Sequence, residues 1–212
     1  MHHKTQADAP TTTGRVIHWA RYYDLFGKLC FFGRDKAIRQ RLVALAAPAP
    51  GESVLDVGCG TGTLAIALKA KAGTGDAHGI DASPEMIDVA QEKAAKAGSE
   101  IDFQVALIEA IPFPDASFDL VTSSLMLHHL PDDLKRKGFA EIRRVLKPGG
   151  RLLAMDFAAH SHSFLGHLLS VFGHSRGENM VDKLTPMLKD AGFDQVEAVP
   201  TRHKNFAFIR AR

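Results

Sequence analysis

The run VLDVGCGTG at residues 54–62 constrains this chain more than any other stretch of it. Residues 53–57 read as a short buried strand, and Gly58, Gly60 and Gly62 then read as a turn into a helix over residues 64–71. Without Cβ atoms such a turn is tight, and its amides can approach a ligand closely. The helix start that follows favours negative charge. Two ligand classes exploit this geometry: the pyrophosphate of a dinucleotide and the carboxylate of an amino-acid-like cofactor. Dinucleotide sites prefer Gly-x-Gly-x-x-Gly or Ala, whereas here Thr63 stands three beyond Gly60 and the third glycine comes one position early. The spacing disfavours a nicotinamide dinucleotide without excluding it. Asp81, nineteen positions beyond Gly62, sits where an acid accepts hydrogen bonds from ribose hydroxyls in either case.

The rest of the chain supplies the sheet that such a loop needs. GID at residues 79–81 closes a second strand, and Ser83, Pro84 and Glu85 open a helix with an N-cap, a proline at N1 and an acid in the first turn. That helix runs to about Ala97. Residues 101–105 and 118–124 read as further strands, separated by the turn-rich PFPD at residues 112–115. Residues 132–146 form an amphipathic helix with Leu134, Ile142, Val145 and Leu146 inward, and with Lys135, Arg136, Lys137, Arg143 and Arg144 as a solvated face. KPGG at residues 147–150 reads as a turn before a fifth strand over 151–157. Alternating strands and helices at this pitch imply a parallel sheet covered on both sides, with ligands above the C-terminal strand ends. A helix over residues 179–191 leads into strands at 193–199 and 204–210, whose short connection suggests an antiparallel hairpin.

At 212 residues and 45% hydrophobic content the chain can bury one α/β core. Its charge of +2 comes from 26 basic and 24 acidic residues interspersed along the chain, which is no footprint for nucleic acid. The cysteines are Cys30 and Cys59, the second inside the glycine loop where a disulfide would obstruct a ligand, so a reducing, cytoplasmic setting is expected. Residues 1–14 read as a disordered polar leader rather than a signal or anchor. No run of about 18 apolar residues is present to span a membrane, although peripheral membrane contact stays open.

Over residues 54–157 the chain resembles the class I S-adenosylmethionine-dependent methyltransferases, in particular the ubiquinone/menaquinone methyltransferases and their small-molecule relatives. The resemblance is carried by VLDVGCGTG, GIDASPEMI, IPFPDASFDLVTSSLMLHHL and EIRRVLKPGGRLLAMDF, in that order and spacing. It implies a Rossmann-like, doubly wound, seven-stranded and mostly parallel sheet with a reversed C-terminal edge strand and an N-terminal helical cap. It also implies S-adenosyl-L-methionine as cofactor and a small or lipid-like acceptor methylated by in-line displacement. One domain over residues 15–212 follows: a cap (15–50), a cofactor-binding core (51–157), a candidate substrate lid (158–178) and a C-terminal helix and hairpin (179–212). Carried over residue by residue, Gly58, Cys59, Gly60 and Gly62 lie along the methionine moiety and Asp56 shapes the loop. Asp81 holds the ribose, Ala82 beside it is a further cofactor-binding residue, Met86 packs on adenine, the Ile108 amide donates to the adenine ring, and the Ser123 carbonyl receives the amino group. Many relatives carry an acid where this chain has Leu107, which cannot accept from the adenine amino group, so adenine recognition is expected to be weaker or differently arranged.

Candidate catalytic residues are fewer. Displacement from a sulfonium needs proximity more than acid or base help, and a catalytic residue can be absent. His128 follows the fourth strand, where it could serve as a base, and adjacent His129 diverges from it by about 100° on a helical turn. Tyr23 belongs to a stripe with Trp19, Tyr22 and Phe26 that reads either as a packed core face or as a cap whose ring stabilises the sulfonium. His160, His162, His167 and His174 match no metal template, and no metal is expected. The apolar SFLGHLLSVFG at residues 163–173 reads as a lid segment or a packed helix. Two rivals stay open: a non-catalytic S-adenosylmethionine-binding sensor and a nicotinamide-dependent oxidoreductase.

Overall fold

The computed structural model describes residues 11–17, 20, 23, 33–73, 75–158, 180–201 and 205–212. Its centre is a seven-stranded sheet in the order β3-β2-β1-β4-β5-β7-β6. The strands are β1 (Val54–Val57), β2 (Ala77–Asp81), β3 (Asp102–Val105), β4 (Phe118–Ser124), β5 (Leu146–Phe157), β6 (Val196–Ala198) and β7 (Phe206–Ala211). β1 to β5 run parallel, while β7 runs antiparallel to both β5 and β6. The reversed strand at the C-terminal side is thus present, inserted one place in from the edge so that β6 lies outermost. The expected hairpin is the pair β6 and β7.

Five helices are described: α1 (Asp35–Ala46), α2 (Thr63–Ala72), α3 (Pro84–Lys96), α4 (Asp132–Val145) and α5 (Met180–Asp190). β1 is buried at all four positions, as a strand covered on both faces must be. One face packs Leu55, Val57, Val121 and Leu152 against Phe139, Ile142 and Leu188 of α4 and α5. The other packs Val54, Leu120 and Leu153 against Ile38 and Leu42 of α1 and Leu64 and Leu68 of α2. Arg151 ties α1 to this face by donating to the Ala46 and Ala47 carbonyls, both at 2.9 Å, while pairing with Glu52 at 2.8 Å.

Three local expectations change. The KPGG turn is a bulge within β5: Phe118 pairs with Leu146, and the next pair, Leu120 with Arg151, resumes beyond it. Gly149 at φ 78° turns the chain there, and a Cβ on Gly150 would lie 2.9 Å from the Lys147 carbonyl oxygen. Lys135 is not part of a solvated face, being 8% exposed with its ammonium 2.8 Å from Asp132. Arg144 is also drawn in, clamping the PFPD loop through the Ile111 and Phe113 carbonyls, Asp115 and Glu141. Of the N-terminal region, α1 is described and Ala20 and Tyr23 are helical; Trp19, Tyr22 and Phe26, the later histidine cluster and the segment at 163–173 lie outside the described residues. Among the described residues no helix is long and apolar enough to cross a membrane.

Candidate functional site

An open cleft lies over the C-terminal ends of β1, β2 and β4, where ligands of parallel α/β sheets bind. Its floor is the glycine loop. Gly58, Gly60 and Gly62 all have positive φ, at 71°, 52° and 73°, so the loop's path requires residues that tolerate the left-handed region. A Cβ on Gly58 would sit 2.4 Å from Met126 Cγ and one on Gly62 2.7 Å from Phe103 Cζ. A Cβ on Gly60 would meet only Tyr23, 3.9 Å away. Gly60 is therefore where bare backbone faces the cleft, with the Tyr23 ring opposite.

The loop's amides do not face a ligand as the sequence suggested. Gly58 and Cys59 both donate to the Ile80 carbonyl, at 2.8 and 2.9 Å, and Gly62 donates to the Cys59 carbonyl at 3.0 Å. Gly60 donates to Asp81 Oδ2 at 2.9 Å. Asp81 Oδ1 accepts from the Ser83 amide at 2.9 Å, and the Ser83 hydroxyl accepts from the Met86 amide to cap α3. Burial pushes the Asp81 carboxyl above the ordinary carboxylate range, opposed by the amides of Ser83, Gly60 and Ala82. Behind it Asp56, 2% exposed, accepts from the Thr122 hydroxyl at 2.7 Å. Desolvation pushes Asp56 up to about 7, against the Thr122 bond and helped by the negative charge of Asp81.

Of the residues singled out above, Tyr23, Gly58, Gly60, Asp81, Ala82, Met86, Leu107 and Ile108 share the cleft wall. Asp56, Cys59 and Gly62 support the loop from behind, and burial pushes the Cys59 thiol upward. Ser123 is 1% exposed with its hydroxyl unpartnered, and the β4 residue lining the cleft is Ser124. His128 is turned from the cleft onto Asp156, whereas His129 lines it.

Several lining residues were not anticipated. Residues 11–14, expected within the leader, cross the cleft mouth: Thr12 donates to Glu109 at 3.1 Å, and the Arg15 amide donates to the His129 carbonyl at 3.1 Å. Gly14 fits because a Cβ there would lie 2.9 Å from Leu130 Cδ2. Leu125, at φ 55°, redirects the chain after β4 so that Met126 covers Gly58. The pair Thr12 and Gly14 is the one available signal for the first segment, a short polar and small-residue stretch in an otherwise unpatterned leader. No local signal marks the second.

A profile of the methyltransferase domain matches residues 54–150. The chain is 37% identical over 150 residues to the demethylmenaquinone methyltransferase of Thermus thermophilus, covering 71% of this chain and 67% of that protein. The chain belongs to the class I S-adenosylmethionine-dependent methyltransferases, in the ubiquinone/menaquinone methyltransferase-like group. It is also 36% identical over 164 residues to the arsenite methyltransferase of Halobacterium salinarum, covering 74% of this chain but spanning only 41% of that protein. A crystal structure of an S-adenosylmethionine-dependent methyltransferase from Aquifex aeolicus shares the fold at a TM-score of 0.67 and 24% identity, over 82% of this chain and 88% of that one. The methyltransferase is thus an enzyme of the S-adenosylmethionine-dependent class.

Proposed function

We propose that the cleft seats S-adenosylmethionine across the glycine loop and that the enzyme methylates a hydroquinone-type acceptor. The carrying observation is the loop itself. Four of its amides are spent on Ile80, Cys59 and Asp81, so its surface toward the cleft is bare backbone, with Asp56 buried behind it and half-buried Asp81 at its edge. An acid at Asp81 serves either cofactor class, so the reading against a nicotinamide dinucleotide is supported by the Gly-x-Gly-x-Gly spacing and by the methyltransferase relatives. Gly58 and Gly60 take the methionine portion. Asp81, whose two oxygens keep lone pairs beyond their amide bonds, accepts from the ribose hydroxyls. Met86, Leu107 and Ile108 flank the adenine, and Tyr23 closes over Gly60.

Bound S-adenosylmethionine supplies an activated methyl on a sulfonium whose leaving thioether is neutral. The chain's own contribution is alignment and exclusion of water, the first through the loop and the second through Tyr23 and residues 12–17 at the mouth. For the acceptor, the relatives offer demethylmenaquinone and arsenite. The quinol reading is supported by the likeness to the demethylmenaquinone methyltransferase, of which the chain spans 67%, against 41% of the arsenite methyltransferase. Calorimetric titration with S-adenosylmethionine tests the seat, and absence of binding by the wild type rejects it. An acceptor screen reading S-adenosylhomocysteine, with reduced demethylmenaquinone and with arsenite plus glutathione, tests the acceptor. Product from arsenite alone rejects the quinol.

A further inference from the structure

Ile108 lines the cleft, yet its side chain is buried on the far side, against α4. A Cβ on Gly138 of that helix would lie 2.6 Å from both Cδ1 and Cγ1 of Ile108, so this side chain fills the notch that Gly138 leaves. What Ile108 turns to the cleft is therefore main chain. Its amide makes no hydrogen bond among the described residues, which leaves a backbone donor unspent beside a ligand cleft.

Residues 106–111 form an arch with two feet. The first stands on β2, where the Ala106 amide donates to the Asp81 carbonyl at 3.0 Å. Under the crown the Ala110 amide donates to the Leu107 carbonyl at 3.2 Å. The second foot stands on α4. There the Ile111 amide donates to Glu141 Oε2 at 3.0 Å, and the Ile111 carbonyl accepts from Arg144 Nη2 at 2.9 Å. Glu141 and Arg144 are themselves joined by two bonds of 2.7 Å, so a fork-to-fork ion pair grips one residue by both its donor and its acceptor. Arg144 also holds the PFPD loop through the Phe113 carbonyl and Asp115, neither of which needs Glu141. The bond that Glu141 adds is the one on Ile111, three residues from the unspent amide. Neither Glu141 nor Arg144 lines the cleft.

Resting on the adenine seat read above, we propose that Glu141 is a positioning residue for cofactor recognition. With Arg144 it fixes the second foot, while Gly138 receives the crown, so that the Ile108 amide meets the purine ring nitrogen beside the adenine amino group. α4 thereby acts on the choice of base without touching the ligand.

Calorimetric titration with S-adenosylhomocysteine and with S-inosylhomocysteine tests this. The inosyl purine carries N–H at that ring position and would set a donor against the Ile108 amide. The wild type should bind the adenosyl ligand about tenfold more tightly than the inosyl one. Glu141→Ala, helix-compatible and stripped of the grip, should lose about fivefold toward the adenosyl ligand and keep its inosyl affinity, so that the preference shrinks to about twofold. Glu141→Gln keeps an oxygen for the Ile111 amide and should hold the preference within about twofold of the wild-type value. Gly138→Ala drives a methyl against Ile108 and should shrink the preference as Glu141→Ala does; it carries the test if that variant fails to fold. Equal loss toward both ligands, or a lowered Tm with the preference intact, is the mark of a clamp that only stabilises the loop and overturns the proposal. So does a wild type that binds the two ligands alike. Failure of the wild type to bind S-adenosylmethionine instead removes the seat itself, and the proposal with it.

Discussion

The glycine loop and the turn Leu127–His129 sit on neighbouring strands and use the same device for different ends. Each rests on a carboxylate that collects backbone amides: Asp81 takes those of Gly60 and Ser83, and Asp156 takes those of His128 and Phe157. At the loop the carboxylate opens onto the cleft beside residues with no side chain. At the turn it is sealed beneath an imidazole. One carboxylate borders the cleft and the other fixes a side chain, and the difference is set by whether glycine or histidine stands over it.

The largest effect that would break this comparison is at Asp81. Asp81→Ala removes the acceptor for both amides and for a ribose, and S-adenosylmethionine affinity by calorimetry should fall about a hundredfold. An unchanged affinity would mean that the loop shapes the cleft alone. Next comes Gly58→Ala, which drives a Cβ into Met126 and demands a left-handed alanine. Overpacking of this kind destabilises by roughly 1–3 kcal/mol, and Tm should drop by roughly 3–10 °C in a thermal melt.

Asp56→Asn probes the carboxylate behind the loop. Burial lifts Asp56 from 3.8 to about 7, so the folded protein holds its proton more tightly than the unfolded chain does. Its contribution is fully present below 3.8 and is lost as pH climbs to about 7. Asp81, shifted in the same direction, adds to the slope. Melts of the wild type across this window should show stability falling with pH, and the variant should fall less steeply; an equal slope would assign it elsewhere. The smallest effect is at Leu107, where Leu107→Asp should restore an acceptor for the adenine amino group and tighten cofactor binding about fivefold by titration.

What the sequence disclosed follows from what local pattern can encode. β4 is read to the residue because its apolar run is closed by Ser123 and Ser124, and the glycine loop because three positive-φ positions in five residues admit little else. Asp156 escaped because an acid after LLAM looks like the polar end of a strand, and its partner, 28 positions away, is known only once β4 and β5 lie side by side. Lys135 and Arg144 escaped for a similar reason: helical periodicity marks a polar face, but their partners come from the helix's own first turn and from the PFPD loop. The strap at residues 12–17 has no periodicity, and its contacts include Gly14 against Leu130, the Thr12 hydroxyl on Glu109 and the Arg15 amide on the His129 carbonyl.

The placing of β7 between β5 and β6 has a consequence for how the chain is made. β6 precedes β7 in sequence, yet in the sheet it touches only β7, so the five parallel strands can assemble while β5 still presents an open row of amides and carbonyls. The same strand carries Asp156. Until residues 206–211 insert, the contact of Asp156 with His128 therefore rests on an unprotected edge, and a chain stopped short of Phe206 would be prone to pair β5 with a neighbouring molecule.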